Sequence, residues 1–159
     1  MSALNDTTEA VLPVDPQALA ELTAKSMYER DAASQAIGAK VGSVAPGKAA
    51  MTMTVRADML NGHKTCHGGF IFALADSTFA FACNSRNDVT VASGCTIDYL
   101  APAFEGDVLT AQAHEYSLAG RVGVYDVHVS NQDGKKIAIF RGRSYKIKGQ
   151  VVSGPTIQE

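Results

Sequence analysis

The sequence predicts an α+β fold in which an antiparallel sheet of about six strands wraps around one central helix. A run of fourteen residues at 70–83, FIFALADSTFAFAC, is apolar on almost every side and lacks proline, which is typical of a helix buried inside a fold. Strand-like segments lie on both sides of it and do not alternate with helices, which excludes a doubly wound sheet. With 159 residues, 46% of them hydrophobic, the chain is expected to form one domain.

The first predicted elements are a helix and a hairpin. Asp15 before Pro16 is a helix-capping pair, and spaced apolar residues continue the helical pattern towards Gly38. From there the pattern changes to two short alternating segments, 39–45 and 49–57, joined by a proline-glycine turn. These two segments predict a β-hairpin.

The remaining elements follow a glycine-rich loop, and the central helix is predicted at about 67–84. Four strand-like segments come after it, and the last three predict a meander: 89–100, 108–117, 122–130 and 136–147. The domain is expected to span 16–148, between flexible terminal segments at 1–15 and 149–159.

Composition excludes several classes of protein. The net charge is −2 and the basic residues are scattered, so nothing predicts binding to nucleic acid. The chain has neither a secretory signal pattern nor an uncharged apolar run of about 18 residues, which predicts a cytoplasmic protein without membrane contacts. The three cysteines form no Cys-x-x-Cys pair and are expected to be reduced and buried.

Two further patterns are poor matches to known sites. The segment 42–49 resembles a phosphate-binding loop, but alanine replaces its final hydroxyl residue and a strand follows where a helix is required. Two histidines and two cysteines could be considered as zinc ligands: His63, Cys66, His67 and Cys83. Their spacing does not provide two pairs of zinc ligands. We expect neither a metal ion nor a cofactor.

Asp76 is the charged residue of the apolar helix. Burial of a carboxylate is costly unless partners or water compensate for the lost hydration. One interpretation is a structural aspartate bonded to Ser77, to Thr78 or to a neighbouring strand. The other is an active-site carboxylate, which we favour.

Helix geometry constrains how Asp76 and His67 can meet. Nine residues separate them. That spacing corresponds to about 13.5 Å of rise and about 900° of rotation, so their side chains point to opposite faces. If both serve one site, two antiparallel helices from two subunits must share it. The catalytic hypothesis therefore predicts a homodimer.

Two glycines begin the predicted helix. The amides of Gly68 and Gly69 lack intrahelical acceptors and lie at the positive end of the helix dipole, which suits an oxyanion hole. The alternative is that the glycines only let the preceding loop turn tightly. The residues alone favour neither interpretation.

Together these residues resemble the phenylacetic-acid-pathway thioesterases of the hotdog superfamily. Asn61, His67-Gly68-Gly69 and Asp76 reproduce that family's Asn-x5-His-Gly-Gly-x6-Asp signature at the same spacing. The resemblance covers about 16–148 and continues in later segments: 97–103, Gly106-Asp107, Gly120-Arg121, Tyr125-Asp126-Val127 and Phe140-Arg141-Gly142-Arg143-Ser144. It implies a hotdog fold and an enzyme that hydrolyses aryl-acyl-CoA thioesters, with phenylacetyl-CoA or a ring-hydroxylated form as substrate.

The resemblance also implies roles for single residues. Asp76 is expected to be the base or the nucleophile, and the Gly68 amide to polarise the thioester carbonyl. Asn61 and His67 are expected to orient the substrate. Further substrate contacts are expected from Gly69, Ser93, Arg141 and Arg143. The two arginines could equally serve to keep an edge strand soluble.

The implied partners are an acyl-CoA substrate and a homodimer that associates into a homotetramer. Coenzyme A is then part of the substrate and not a cofactor. The acyl pocket should be apolar, and Met59, Phe70 and Phe72 are candidates that core packing would explain equally well. The alternative functions are a non-catalytic acyl-CoA-binding protein and a hotdog hydratase.

Overall fold

The computed structural model describes residues 15–154 as a six-stranded sheet with three α-helices. The helices are α1 (Pro16–Arg30), α2 (Ala32–Ala36) and α3 (Gly68–Cys83), with a short 3-10 turn at Ala57–Met59. The strands are β1 (Lys40–Ala45), β2 (Lys48–Thr54), β3 (Asp88–Tyr99), β4 (Val108–Ala119), β5 (Val122–Ser130) and β6 (Lys136–Gln150). Of the predicted flexible ends, 1–14 and 155–159 lie outside the described residues.

The N-terminal helix is interrupted at Asp31, where the sequence predicted one continuous helix. Asp15 caps α1 as predicted, because its carboxylate accepts a hydrogen bond from the Ala18 amide at 2.9 Å. The Asp31 amide donates to the Tyr28 carbonyl, while the Asp31 carboxylate accepts from the Ser34 amide and begins α2. Aspartate side chains compete with the helical backbone for such donors. The prediction of one continuous helix was therefore wrong.

The strand order is β1-β2-β4-β5-β6-β3, and all neighbouring strands are antiparallel. The predicted hairpin of β1 and β2 and the predicted meander of β4, β5 and β6 are confirmed. β3 pairs with β6, which leaves β1 and β3 as the two edges. β6 continues to Gln150, opposite Asp88, and Val152 is hydrogen-bonded to Asn87. The described fold thus extends beyond the predicted boundary at 148 into the predicted flexible end.

The central helix α3 lies across one face of the sheet and contacts all six strands. Leu74 and Phe79 on this helix are buried in the main hydrophobic cluster. The Phe79 ring lies 5.5 Å from that of Tyr125 and 5.8 Å from that of Phe140, between ring centroids. Gly142 on β6 lies so close that a Cβ there would come within 2.8 Å of the Phe79 ring. The predicted α+β architecture with its central helix is confirmed.

The three cysteines carry free thiols, as predicted. Cys66 and Cys83 are buried, but Cys95 on the edge strand is only half-buried, so the prediction of burial was wrong for that residue. Within residues 15–154, no helix combines the length and the apolar character that crossing a membrane requires.

Candidate active site

The loop before α3 is closed by Asn61. Its side-chain oxygen accepts hydrogen bonds from the amides of His63 and Thr65, at 2.9 and 3.3 Å, and from the Thr65 hydroxyl at 3.2 Å. The Asn61 amide donates to the Thr65 carbonyl at 2.9 Å. Three donors to one oxygen fix the shape of the loop that leads into the helix. Asn61 therefore acts on the site through the loop in this structure.

His67 is the N-cap of α3. Its backbone amide donates to the Met59 carbonyl at 2.8 Å, and its Nδ1 atom accepts from the Gly69 amide at 2.9 Å. Since Nδ1 is the acceptor, the proton of the neutral imidazole must be on Nε2. The side chain is exposed, so the Nε2–H group of His67 is available as a donor at the helix start.

The two glycine amides differ in what they contact. Gly69 donates to His67, whereas the Gly68 amide has no acceptor among the residues that the structure describes. Neither glycine has a positive φ, so the tight-turn interpretation has no support in the backbone. Gly68 is instead covered by the ring of Tyr99, and a Cβ at Gly68 would lie 2.9 Å from that ring. One amide at the positive end of the helix thus remains for an anion or a polarised carbonyl.

Asp76 lies half-buried near the middle of α3. The hydroxyl groups next to it are used elsewhere, because Ser77 is bonded to Ser34 and Thr78 donates to the Leu74 carbonyl. Within residues 15–154, the contact of the Asp76 carboxylate is the thiol of Cys95 on β3, with 3.9 Å between Sγ and Oδ1. Burial raises the pKa of Asp76, and the thiol contact lowers it. The Ser77 and Thr78 contacts of the structural interpretation are therefore absent, whereas its contact with a neighbouring strand is present as the Cys95 thiol on β3.

His67 and Asp76 make no contact with each other in the described chain, in agreement with their positions on opposite faces of the helix. The candidate residues of this chain therefore form two separate groups, which we call half-sites. The first half-site contains Asn61, His67, Gly68 and Gly69, and the second contains Asp76 and Cys95.

Ser93 belongs to neither half-site. It is the extra residue in an irregularity of β3 between Ala92 and Gly94. Its hydroxyl donates to the Arg143 carbonyl at 3.1 Å, and the side chain is exposed. In this chain the hydroxyl serves the pairing of β3 with β6.

The two arginines lie on β6, which is an interior strand of the sheet, so the edge-strand interpretation was wrong. Arg141 makes two bonds to Asp126, at 2.6 and 2.7 Å, and its guanidinium lies 5.0 Å above the centre of the Tyr116 ring. This pair lowers the pKa of Asp126. The guanidinium of Arg143 rests against Gly94 and has no acceptor within the described residues.

The three acyl-pocket candidates have different surroundings. Met59 is fully buried and belongs to the core. Phe72 packs edge-on against Phe140, with 5.4 Å between the ring centroids. The Phe70 ring lies 6.4 Å from the His67 ring, measured between ring centroids, and Phe70 is therefore beside the first half-site. A groove of about 500 Å³ also lies beside Gly68. Across residues 15–154, no three His, Cys, Asp or Glu side chains are arranged to hold a metal ion.

Comparison with known proteins identifies the family. The model of the thioesterase superfamily matches residues 63–138. A protein of Escherichia coli (strain K12) named acyl-coenzyme A thioesterase PaaI is 51% identical over 128 residues, which cover 80% of this chain and 91% of that protein. The chain belongs to the thioesterase superfamily.

Solved structures similar to this thioesterase-superfamily chain have the same fold. The structure of the E. coli PaaI protein from the phenylacetic acid degradation operon has a TM-score of 0.83 at 49% identity, and the match covers 84% of this chain and 97% of that one. The TT0310 protein from Thermus thermophilus has a TM-score of 0.69 at 44% identity, covering 72% and 96%. The hotdog fold implied by the sequence resemblance is confirmed.

Cys95 and Tyr99 lie beside the candidate residues of this thioesterase-superfamily chain, and the sequence indicated no functional role for either. Both side chains face α3. They share this side of the sheet because alternate residues of a strand lie on the same side. That alternation was a usable signal for the face. Which helix residues they meet depends on the pairing of β3 with β6, where Tyr99 lies opposite Ala138 and Cys95 lies opposite Gly142.

Proposed function

We propose that this protein is an acyl-CoA thioesterase that hydrolyses aryl-acyl-CoA thioesters, with phenylacetyl-CoA or a ring-hydroxylated phenylacetyl-CoA as substrate. Support for the substrate class comes from the family and from two similar E. coli proteins, an acyl-coenzyme A thioesterase and the PaaI protein of the phenylacetic acid degradation operon. The reaction yields the free acid and coenzyme A.

The observation that carries the proposal is the environment of Asp76. Its carboxylate is half-buried, and a thiol at 3.9 Å is its contact within residues 15–154. A thiol is a weak hydrogen-bond donor and compensates little for lost hydration. A costly, nearly unpartnered carboxylate on the central helix of a thioesterase-superfamily fold is typical of a catalytic group.

Asp76 serves as a general base or as a nucleophile, and both roles need the ionised carboxylate. As a base it takes a proton from water while the water oxygen bonds to the thioester carbon. The tetrahedral intermediate then collapses, the carbon–sulfur bond breaks, and the coenzyme A thiolate takes up the proton. A pKa above the ordinary value for aspartate makes the carboxylate a stronger base than an exposed one.

The oxyanion is stabilised by the amide of Gly68, and the Nε2–H group of His67 donates to the substrate beside it. One well-placed oxyanion donor contributes about 3 kcal/mol to the transition state. Asn61 supports both groups through the loop. No metal ion and no cofactor take part, because a thioester is already an activated acyl group.

Since the two half-sites lie on opposite faces of α3, a complete site combines Asp76 of one subunit with His67 and Gly68 of another. We propose a homodimer that associates into a homotetramer in the cytoplasm. Support for self-association comes from β3, an edge strand that has no outer neighbour within the described part of the chain. Val91 and Tyr99 on this strand and Leu100 after it are 44%, 50% and 49% exposed, which favours a covering partner.

The test is thiol release from a panel of acyl-CoAs that includes phenylacetyl-CoA. Wild-type protein should hydrolyse aryl-acyl thioesters, and Asp76→Asn should lower kcat/KM by about a hundredfold or more. Asp133→Asn makes the same chemical change in an exposed turn and should leave activity unchanged. Full activity in folded Asp76→Asn would refute the assignment. Binding of acyl-CoA by the wild type without cleavage would favour the non-catalytic alternative.

Shared sites are tested by mixing two inactive variants. Subunits of Asp76→Asn and His67→Ala are unfolded together and refolded, so that mixed dimers form. A mixed dimer holds one site with both defects and one intact site. Random pairing yields mixed and unmixed dimers in equal amounts, so about a quarter of wild-type activity should return. No recovery, despite mixed dimers detected by mass, would contradict a shared site.

A further inference from the structure

Tyr99 ends β3 directly over the start of the central helix. Its hydroxyl donates to the Gly68 carbonyl at 2.9 Å. The ring covers the Gly68 Cα atom, where a Cβ would come within 2.9 Å of Cζ and 3.0 Å of the hydroxyl oxygen. The adjacent backbone is anchored, because the Leu100 amide donates to the Ile137 carbonyl at 2.8 Å. The tyrosine is therefore held in place at the first half-site.

The carbonyl that accepts from Tyr99 and the amide that donates to His67 belong to the same peptide group. This group joins Gly68 to Gly69, with its oxygen bonded to the Tyr99 hydroxyl and its N–H bonded to His67 Nδ1 at 2.9 Å. Donors and acceptors in such a chain polarise one another, so a bond to the carbonyl makes the N–H a better donor. The tyrosine hydroxyl thereby acts on the imidazole through one peptide group.

We propose that Tyr99 is a positioning residue for His67: it holds the Gly68–Gly69 peptide so that Nδ1 stays an acceptor and Nε2–H remains the donor to the thioester. This inference rests on the function proposed above. In the other neutral tautomer Nδ1–H would face the Gly69 N–H, and Nε2 would be an acceptor unable to donate to a carbonyl oxygen. The tautomer therefore determines whether His67 can serve the substrate.

Two features suit Tyr99 to this task. Burial raises its pKa, so the hydroxyl stays protonated and remains a donor at neutral pH. The glycine beneath it has no Cβ, which allows the ring to approach the peptide closely enough to bond its oxygen. A phenylalanine would fill the same space but could not donate.

The experiment compares wild type with Tyr99→Phe by kinetics and by 15N NMR of the imidazole nitrogens, which reports which nitrogen carries the proton. The chain has four histidines, and His67→Gln assigns the His67 signals. Tyr99→Phe should lower kcat by about three- to tenfold with KM within about twofold, the size expected for one lost hydrogen bond. Part of the His67 population should shift to the Nδ1–H tautomer. Tyr145→Phe, on the outer sheet face, is the matched control and should change neither readout.

Wild-type kcat together with unchanged His67 nitrogen signals in Tyr99→Phe would overturn the proposal. An equal loss of kcat with unchanged signals would also overturn it, because the effect would then be structural. The NMR measurement needs no turnover, so it tests Tyr99 even if the wild type cleaves no thioester. In that case the proposed function fails while the positional relationship is still measured.

Discussion

The thiol of Cys95 lies 3.9 Å from the carboxylate of Asp76, so an edge strand contributes directly to the environment of a helix residue. Burial raises the pKa of Asp76 above its ordinary value of 3.8, and the thiol contact opposes that rise. Burial and the nearby Asp76 raise the pKa of the Cys83 thiol on the same helix. Burial and Asp76 also raise the pKa of Cys95, and the charge of Arg143 opposes that rise. The ionisation of Asp76 is therefore set by two elements that the chain brings together.

Cys95→Ala should move the acid limb of the kcat/KM profile to higher pH. Removal of the thiol removes a contact that favours the ionised carboxylate, so the pKa of Asp76 rises further. Cys95→Ser keeps a donor and should leave the limb close to that of the wild type. The check is kcat/KM from acidic to neutral pH, and an unmoved limb in Cys95→Ala would show that the contact does not tune Asp76.

Asp76→Asn should be more stable than the wild type at neutral pH. Because the folded-state pKa is raised, folding favours the protonated acid, and stability is lost as pH rises from the ordinary value of 3.8 through the folded pKa. The neutral amide avoids this cost. Thermal unfolding against pH should show a higher Tm for the variant at pH 7 that converges with the wild type in acid, and a lower Tm at pH 7 would contradict the expectation.

Gly68→Ala should impair activity more than stability. The added Cβ would lie 2.9 Å from the Tyr99 ring, which must swing away and release the Gly68 carbonyl. We expect kcat/KM to fall about tenfold or more and stability to fall by about 1 kcal/mol. Gly62→Ala in the same loop meets no atom within 4 Å and is the matched control. Equal activity of the two variants would show that the approach of Tyr99 is not needed.

Arg143→Gln and Arg141→Gln should behave differently, although each removes one charge from β6. Arg143 has no acceptor among the described residues, so its loss should raise KM about three- to tenfold if it meets a coenzyme A phosphate, and less at high salt. Arg141 is occupied by Asp126 in an exposed pair, so its loss should change stability little and leave KM unchanged. Equal KM values for both variants would remove Arg143 from the substrate contacts.

Gly142→Ala should destabilise the core. A Cβ there would lie 2.8 Å from the Phe79 ring, which is 1% exposed and packs against the rings of Tyr125 and Phe140. Overpacking of this kind costs about 1–3 kcal/mol. Urea unfolding should show the loss, and Phe79→Leu in the same chain should recover part of it. An additive loss in the double variant would show that the close approach is not the cause.

Local chemistry in the sequence predicted much of the fold. The apolar run at 70–83 predicted α3, and alternation and turn residues predicted all six strands, because these signals depend on neighbours in the chain. The extent of the first helix was predicted wrongly. The Asp31 carboxylate accepts a hydrogen bond from the Ser34 amide, and α1 ends there. Whether an aspartate interrupts a helix depends on a competition that the pattern of apolar residues does not report.

The sequence alone determined the loop and helix start that carry Asn61, His67 and Gly68, because those residues are close together in the chain and share one short motif. Only the tertiary structure decided which side chains surround them. Cys95 reaches Asp76, and Tyr99 reaches Gly68, because β3 crosses to pair with β6 and sets their register against the helix. Strand pairing is a long-range choice, governed by packing and hydrogen bonding across the whole sheet, and the local pattern of a strand fixes its faces but not its neighbours.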